Sequence, residues 1–262
     1  MPTLSRRPRT LAACVVVVAV LLAVAAFAPL PVSIVVPGPT TDVLGTDRGT
    51  PVISVTGTPV RTTSGQLRMV TIAATEPDAS VHFIDVARAW FAGDRAAMPR
   101  DSVYPGGGSV QEIAKVNEKE MTDSQDAATA AALKQLGLSP AEVKVDLRLA
   151  DVGGPSAGLL FSLGIIDKVA GDGHGGDLTG GRAIAGTGTI DASGTVGAVG
   201  GVPLKEQAAR RDGATVFIVP RGECADAQAQ LPRGLTLIAV TTLKGTLSAL
   251  SALRSGQPVP GC

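Results

Sequence analysis

The chain has 262 residues, and 23 basic side chains balance 23 acidic ones, so its formal net charge is zero. This balance argues against a nucleic-acid-binding protein, because such proteins neutralise phosphates with an excess of Lys and Arg. Hydrophobic residues make up 45% of the chain, which excludes global disorder, and the 32 glycines follow no Gly-X-Y period, which excludes a collagen-like fibre.

The first apolar segment is long enough to cross a membrane. Residues 11–30 carry no charge and are almost wholly apolar, and about 20 such residues span the hydrocarbon layer as a helix. Three arginines precede the segment, whereas no cation follows it before Arg48. The positive-inside rule therefore predicts a single-pass protein of the cell membrane, with residues 1–10 in the cytoplasm and the chain from residue 31 onward outside it.

A cleaved signal sequence is the alternative for this segment. Ala23-Val24-Ala25 and Ala26-Phe27-Ala28 both match the small-x-small pattern of cleavage sites. The apolar segment is longer than the roughly 7–15 residues of a usual signal core, so we favour an uncleaved anchor. Both interpretations export the bulk of the chain.

The cysteine positions agree with export. Cys14 lies within the apolar segment, and Cys224 and Cys262 are the two cysteines beyond it. An oxidising compartment permits these two to pair, and free thiols are a liability there. We therefore favour a Cys224–Cys262 disulfide over two unrelated free thiols.

Residues 31–140 form an extracytoplasmic region of strands and helices in this prediction. Apolar periodicity and turn-forming residues indicate its elements, which in chain order are short strands within 31–59, a strand over 67–74, a helix over 80–93 and a helical pattern over 109–137 with a break near 121–124. The helix over 80–93 carries three of the few aromatic residues of the chain. We expect it to pack against something apolar.

Strands alternate with helices over residues 141–262. The predicted elements in chain order are a strand over 143–149, a helix over 156–169, strands over 183–190 and 195–199, a helix over 203–211, strands over 215–219 and 235–240, and a helix over 242–254. Hairpins occur beside this alternation, so the pattern predicts an α/β fold of mixed (α+β) layers rather than a Rossmann fold. No phosphate-binding loop stands at a suitable place, which argues against ATP hydrolysis.

One serine stands in a suitable place for catalysis. Residues 151–158 read DVGGPSAG, and the glycines and proline before Ser156 favour a sharp passage from a strand into a helix. Ser156 would then lie in the first helical turn, where unpaired backbone N–H groups, with Gly154 and Ala157 as the expected donors, can hold an oxyanion. The alternative is a serine that only caps a helix.

A nucleophilic serine needs a base, and the two histidines are poor candidates. His82 lies on the predicted aromatic helix and His174 in a glycine-rich loop, where structural or solvated roles are typical. A lysine can act as the base if burial or a positive field keeps it neutral. Lys205 fits, because it stands near the start of a predicted helix whose dipole opposes an additional positive charge.

Three motifs occur in the order found in Lon-type proteases: GPSAG at 154–158, TG at 187–188 and GGVPLK at 200–205. From about residue 141 to 253 the chain resembles the proteolytic domain of that family. The resemblance implies Ser156 as the nucleophile, Lys205 as the general base, and Thr187 as a hydroxyl that helps to hold the lysine. It also implies the mixed α/β fold of that domain and a tendency to form hexameric rings. We expect no cofactor and no metal.

The front half of the chain is similar to that of membrane-anchored Lon-like proteases. Those proteins usually carry a PDZ domain before the catalytic strand, but only residues 137–141 are available for it here, so we expect neither that domain nor the ATPase of full Lon. ATP-dependent Lon proteases often have an acidic residue three positions before the serine, where this chain has Gly153. Asp151 either supports catalysis in its place or only caps a turn.

The expected function is therefore that of an extracytoplasmic, ATP-independent serine endopeptidase acting on exposed or unfolded polypeptides. A catalytically inactive Lon-like scaffold or peptide-binding module is the alternative. A purely structural subunit, in which the glycine-rich motifs only form tight turns, is a further one.

Overall fold

The computed structural model describes residues 7–104, 107–149 and 153–262. Its helices and strands are α1 (Arg7–Phe27), β1 (Val32–Asp42), β2 (Thr46–Asp47), β3 (Thr50–Pro51), β4 (Ile53–Thr56), β5 (Gln66–Ala74), α2 (Phe83–Phe91), β6 (Ala96–Pro99), α3 (Arg100–Val103), α4 (Val110–Leu136), β7 (Lys144–Leu147), α5 (Gly158–Val169), β8 (Ala183–Gly186), β9 (Thr189–Ile190), β10 (Val196–Gly197), α6 (Val202–Arg211), β11 (Val216–Pro220), α7 (Cys224–Ala229), β12 (Thr236–Val240) and α8 (Leu243–Arg254).

The chain divides into two units, and each is built from two separate stretches of sequence. The first unit comprises Met1–Val36 and Ala74–Val110, and the second comprises Pro37–Ala73 and Gln111–Cys262. The second unit therefore includes residues 37–73 and 111–140 in addition to the predicted domain over 141–262.

The first unit contains the apolar helix α1. Its segment Thr10–Phe27 is long and apolar enough to cross a membrane, and none of that segment is buried against the rest of the protein. Three residues after α1, the amide of Leu30 donates to the carbonyl of Val81 at 2.8 Å. The first residues of β1, Val32–Val35, pair antiparallel with β6.

The second unit is built on a mixed sheet with helices on both faces. Its strand order is β12-β11-β8-β5-β1, and the pairs β12–β11, β11–β8 and β8–β5 are parallel. β11 is buried along its whole length, as expected for a parallel strand covered on both faces. The prediction of a mixed α/β structure with one N-terminal apolar helix is confirmed.

Alternate residues of β11 point to two separate hydrophobic clusters. Val216 and Ile218 pack with α5, α8 and part of α4, whereas Phe217 and Val219 pack with α6 and α7. Because successive side chains of a strand point to opposite faces, α5 and α6 lie on opposite faces of the sheet. This arrangement decides where the candidate site forms.

Local patterns predicted some boundaries wrongly. α4 runs without the break expected near residues 121–124, because Met121 and Ser124 are buried and the Ser124 hydroxyl donates to the carbonyl of Pro155 at 3.0 Å. α5 begins at Gly158, so Ser156 lies in the turn before the helix rather than in its first turn. The short elements β6, α3 and α7 have patterns too brief to be recognised from periodicity.

A disulfide joins Cys224, at the start of α7, to Cys262, which is the pairing that the sequence favoured. Beside it, the carbonyl of Pro260 accepts a hydrogen bond from the amide of Ala239 at 2.8 Å, and Gln228 donates to the carbonyl of Cys262 at 2.8 Å. The C-terminal residues therefore lie along the outer edge of β12, where they cover backbone groups that would otherwise be open to pairing.

Replacing both cysteines (Cys224→Ser/Cys262→Ser) is expected to lower the free energy of unfolding. The two residues are 38 positions apart, and a cross-link of that span restricts the unfolded chain by roughly 3–4 kcal/mol. Denaturant unfolding of the oxidised protein and the variant in the same detergent measures the difference. The reduced wild type is the matched control, and equal unfolding midpoints for all three would contradict the prediction.

Candidate active site

Three residues singled out in the sequence meet at the C-terminal end of β8. Thr187 follows β8 directly and is fully buried. The Lys205 ammonium donates to the Thr187 hydroxyl at 3.1 Å, and that hydroxyl in turn donates to the backbone carbonyl of Ser156 at 3.3 Å. One hydroxyl thus connects the candidate base to the turn that carries the candidate nucleophile.

Ser156 and Lys205 come from elements on opposite faces of the sheet. Ser156 lies two residues before α5 on one face, and Lys205 lies in the first turn of α6 on the other. Gly201 starts α6 from a left-handed conformation, with φ of 70°, which favours glycine at that position. The carboxyl end of a parallel strand is where such sheets commonly bind ligands.

Backbone hydrogen bonds hold the turn at Ser156 in place. The Ser156 carbonyl accepts a second hydrogen bond, from the amide of Gly188 at 2.9 Å, and the Leu159 amide donates to the Gly188 carbonyl at 3.1 Å. Ser156 is half-buried, and its hydroxyl makes no hydrogen bond to another described residue, including Lys205. The Lys205 amine and the Ser156 backbone carbonyl therefore share Thr187 as a partner, while the amine and the Ser156 hydroxyl are not bonded to each other.

The amide groups near Ser156 differ in their availability. The Gly154 amide donates to the carbonyl of Asn117 in α4 at 3.3 Å. The amides of Ser156 and Ala157 donate to no acceptor within the described ranges, and they stand at the start of α5, where the helix dipole is positive. These two amides can receive a developing negative charge, whereas that of Gly154 already has a partner.

Burial changes the charge state of Lys205. Its side chain is only 3% exposed, and this loss of solvent lowers the pKa of the ammonium from 10.5 to about 8, although the carboxylate of Glu223 raises it in part. Desolvation has this sign because it disfavours the charged form. Near pH 8 much of the amine is neutral, which is the form a general base requires.

Glu206, the next residue, was not recognised in the sequence. It is fully buried, and neither of its carboxyl oxygens has a hydrogen-bond partner among the described residues. Burial raises its pKa from 4.5 to about 8. The signal in the sequence is helical spacing, because Val202, Glu206 and Ala209 fall on one face of α6, and the two apolar members pack in the cluster around Phe217.

Close packing explains the absence of an acidic residue three positions before the serine. A Cβ atom on Gly153 would lie 2.6 Å from the Cβ of Asn117, so α4 leaves no room for any side chain there. Asp151, the other acidic candidate, lies outside the described residues.

A groove of about 850 Å³ reaches the turn before Ser156. Its walls come from the β2–β3 hairpin, α4 and β7, and Gly153 also lines it. The lining mixes charged and apolar side chains, among them Arg48, Met121 and Leu147. β7 pairs with β4 along one edge, and its residue Leu147 lines the groove.

Neither histidine takes part in this arrangement. His82 is the N-cap residue of α2 in the first unit, where its amide donates to Asp85 at 3.0 Å. The amide of His174 donates to Asp172 at 2.7 Å in the loop after α5. In the part of the chain that the structure describes, no group of three or more His, Cys, Asp or Glu side chains could hold a metal ion.

In comparisons with known proteins, no family model matches the chain and no curated protein matches it.

Replacing Glu206 with Gln is expected to remove a pH dependence of stability. The native state keeps the Glu206 proton between about pH 4.5 and 8, whereas the unfolded state loses it, so the wild type loses stability as the pH rises through that window, by about 1.4 kcal/mol per pH unit. Glu206→Gln keeps the buried neutral shape without the titration.

The measurement is the free energy of unfolding at pH 5 and pH 8. The variant should change less between these pH values than the wild type. Glu142→Gln, at an exposed position, is the matched control and should follow the wild type. The same pH dependence in all three proteins would refute the assignment.

Proposed function

We propose that this protein is a membrane-anchored, extracytoplasmic serine endopeptidase of the Lon-like kind, with Ser156 and Lys205 as its catalytic dyad. The observation that carries the proposal is the buried Lys205 amine, whose pKa is lowered to about 8 and which is bonded through Thr187 to the backbone of Ser156. Lowered pKa values and buried amines with one specific partner are typical of catalytic lysines.

The reaction follows from the roles that these groups can take. Neutral Lys205 accepts the proton of the Ser156 hydroxyl while the oxygen attacks the peptide carbonyl carbon, and the amides of Ser156 and Ala157 receive the oxyanion. The Lys205 ammonium then protonates the leaving amine as the C–N bond breaks. Lys205 then deprotonates a water molecule, which attacks the acyl ester. The ester C–O bond breaks, the Lys205 ammonium returns the proton to the Ser156 oxygen, and the carboxylic acid product leaves.

Rotation of the Ser156 side chain brings its hydroxyl to Lys205 in this mechanism. Catalytic hydrogen bonds are often long or absent without substrate and tighten when it binds. Thr187 limits the motion of the amine, because its hydroxyl accepts a hydrogen bond from Nζ.

The groove beside Gly153 supports a polypeptide substrate. It is open, about 850 Å³ in volume, and bordered by β7, which suits an extended chain better than a compact small molecule. We therefore expect cleavage of exposed or unfolded segments without ATP. The hexameric ring implied by the resemblance stays a prediction, which sedimentation of the full chain in detergent would test.

Ser156→Ala and Lys205→Ala are each expected to reduce hydrolysis of unfolded casein by at least about 1000-fold, because each removes one member of the dyad. Ser248→Ala and Lys244→Ala, at exposed positions of α8, are the matched controls and should keep wild-type rates. Retained cleavage by purified Ser156→Ala would exclude the proposal. Binding of casein without cleavage by the wild type would favour the inactive scaffold.

The pH dependence of kcat/KM tests the base directly. We expect the rate to rise through about pH 8, because Lys205 must lose its proton to act. Thr187→Val removes an acceptor that stabilises the charged ammonium, so it should lower the plateau and move the rise to lower pH.

The pH dependence of kcat/KM, measured in Glu206→Gln, distinguishes Lys205 from Glu206, because the pKa of each group lies near 8. The rise should persist in that variant if Lys205 is the titrating base. Its disappearance would assign the pH dependence to Glu206 instead.

A further inference from the structure

Helix α2 exposes its apolar face and buries its opposite side. Trp90 is 84% exposed and Phe91 89%, and Phe83 and Ile84 are each more than half exposed. Ala89, in contrast, is 2% exposed. A surface helix of a globular protein normally has the reverse arrangement, with its apolar stripe against the core.

The exposed apolar residues form one continuous stripe. At about 100° per residue, an arc of about 120° on the helix surface contains the exposed Trp90, Phe83, Phe91 and Ile84, with the partly buried Ala87 among them. On one side Arg88 borders this arc, since it follows Ile84 around the helix, and it lies 3.7 Å from Asp85. Phe83, Ile84, Trp90 and Phe91 stay exposed, so the apolar partner predicted for this helix does not cover the stripe within the described residues.

The chain holds α2 close to the end of the apolar helix α1. α1 ends at Phe27, which is itself 78% exposed, and the hydrogen bond from Leu30 to Val81 follows three residues later. Three residues span at most about 11 Å, and Val81 stands directly before the N-cap residue of α2. α1 and α2 also contact each other within the first unit.

We propose that α2 lies in the membrane interface beside the anchor, with Trp90, Phe91, Phe83 and Ile84 inserted at the boundary between lipid headgroups and acyl chains. Amphipathic helices with aromatic residues on the apolar face bind at this depth, and Trp is enriched there because its ring is apolar and its N–H is polar. Arg88 lies at the rim of the stripe, where it can reach lipid phosphates.

The membrane is the occupant that the connectivity favours. A helix exposed beside a membrane-spanning segment meets lipid without the concentration dependence that a protein partner would require. The proposal rests on α1 as the membrane anchor and does not depend on the peptidase activity. A second copy of the chain covering the same stripe is the competing occupant.

Two natural reporters allow both parts to be tested in the full chain. Trp90 is the only tryptophan of the sequence, and Cys14, in α1, is the free cysteine. The protein is reconstituted into phosphatidylcholine vesicles. Trp90 fluorescence is then recorded with aqueous iodide, with lipids brominated near the headgroup, and with lipids brominated deep in the acyl chain.

We expect the emission of Trp90 to be blue-shifted and to be quenched at least about twofold by the shallow bromines and less by the deep ones, as for an interfacial helix. Iodide should quench it several-fold less than in the urea-unfolded protein. Phe83→Ser/Phe91→Ser should increase iodide access to Trp90. Val116→Ser, which removes an exposed apolar residue of α4, is the matched control and should leave it unchanged.

Three outcomes would overturn the proposal. Free access of iodide to Trp90 with no effect of brominated lipid would place α2 in water. Protection from both quenchers, increasing with protein concentration in the vesicles, would assign the stripe to a second copy of the chain. Reaction of Cys14 with a membrane-impermeant maleimide would show that α1 does not span the bilayer, and it would also refute the assignment of α1 as the membrane anchor. Protection of Cys14 together with an exposed Trp90 would refute only the placement of α2.

Discussion

An ammonium group removed from water raises the free energy of the folded state unless it finds an acceptor or loses its proton. The Lys205 amine, 3% exposed, does both in part: it has the Thr187 hydroxyl as its partner, and its pKa is lowered to about 8. This constraint organises the end of β8. Thr187 must stay buried to hold the amine, and its hydroxyl and the neighbouring Gly188 amide together fix the Ser156 carbonyl.

The sheet keeps water away from the Lys205 amine because helices cover both of its faces. α5 and α6 pack on opposite faces through alternate residues of β11, so a strand end between them is screened from solvent. The same covering buries Glu206, whose carboxyl has no hydrogen-bond partner among the described residues. Burial therefore acts on two adjacent residues with opposite signs, lowering the pKa of the amine and raising that of the acid.

The first unit presents a different physical problem. α1 and the exposed stripe of α2 together leave a large apolar surface without protein cover in the described part of the chain. In a water-soluble protein such a surface would favour aggregation. In the placement proposed above, a bilayer would cover both helices, α1 as a spanning helix and α2 as an interfacial one.

Local sequence patterns determined much of this protein. The length of the apolar segment, the periodicity of α6 and the apolar run of β11 predict those elements, because each depends on residues close together in the chain. The order of the glycine-rich motifs singled out Ser156, Thr187 and Lys205. Export and cysteine number favoured the Cys224–Cys262 pair.

Only the tertiary structure decided which faces are covered. Helical spacing places Glu206 on the apolar face of α6, but it does not show that neither carboxyl oxygen finds a hydrogen-bond partner among the described residues. No local pattern shows that α4 passes unbroken over Pro155 or that Asn117 fills the space beside Gly153. The same holds for the aromatic face of α2, whose periodicity predicted an apolar partner without identifying it. Periodicity shows which side chains share a face of a helix or strand. Whether that face is buried depends on contacts between residues far apart in the sequence, and those contacts form only when the chain folds.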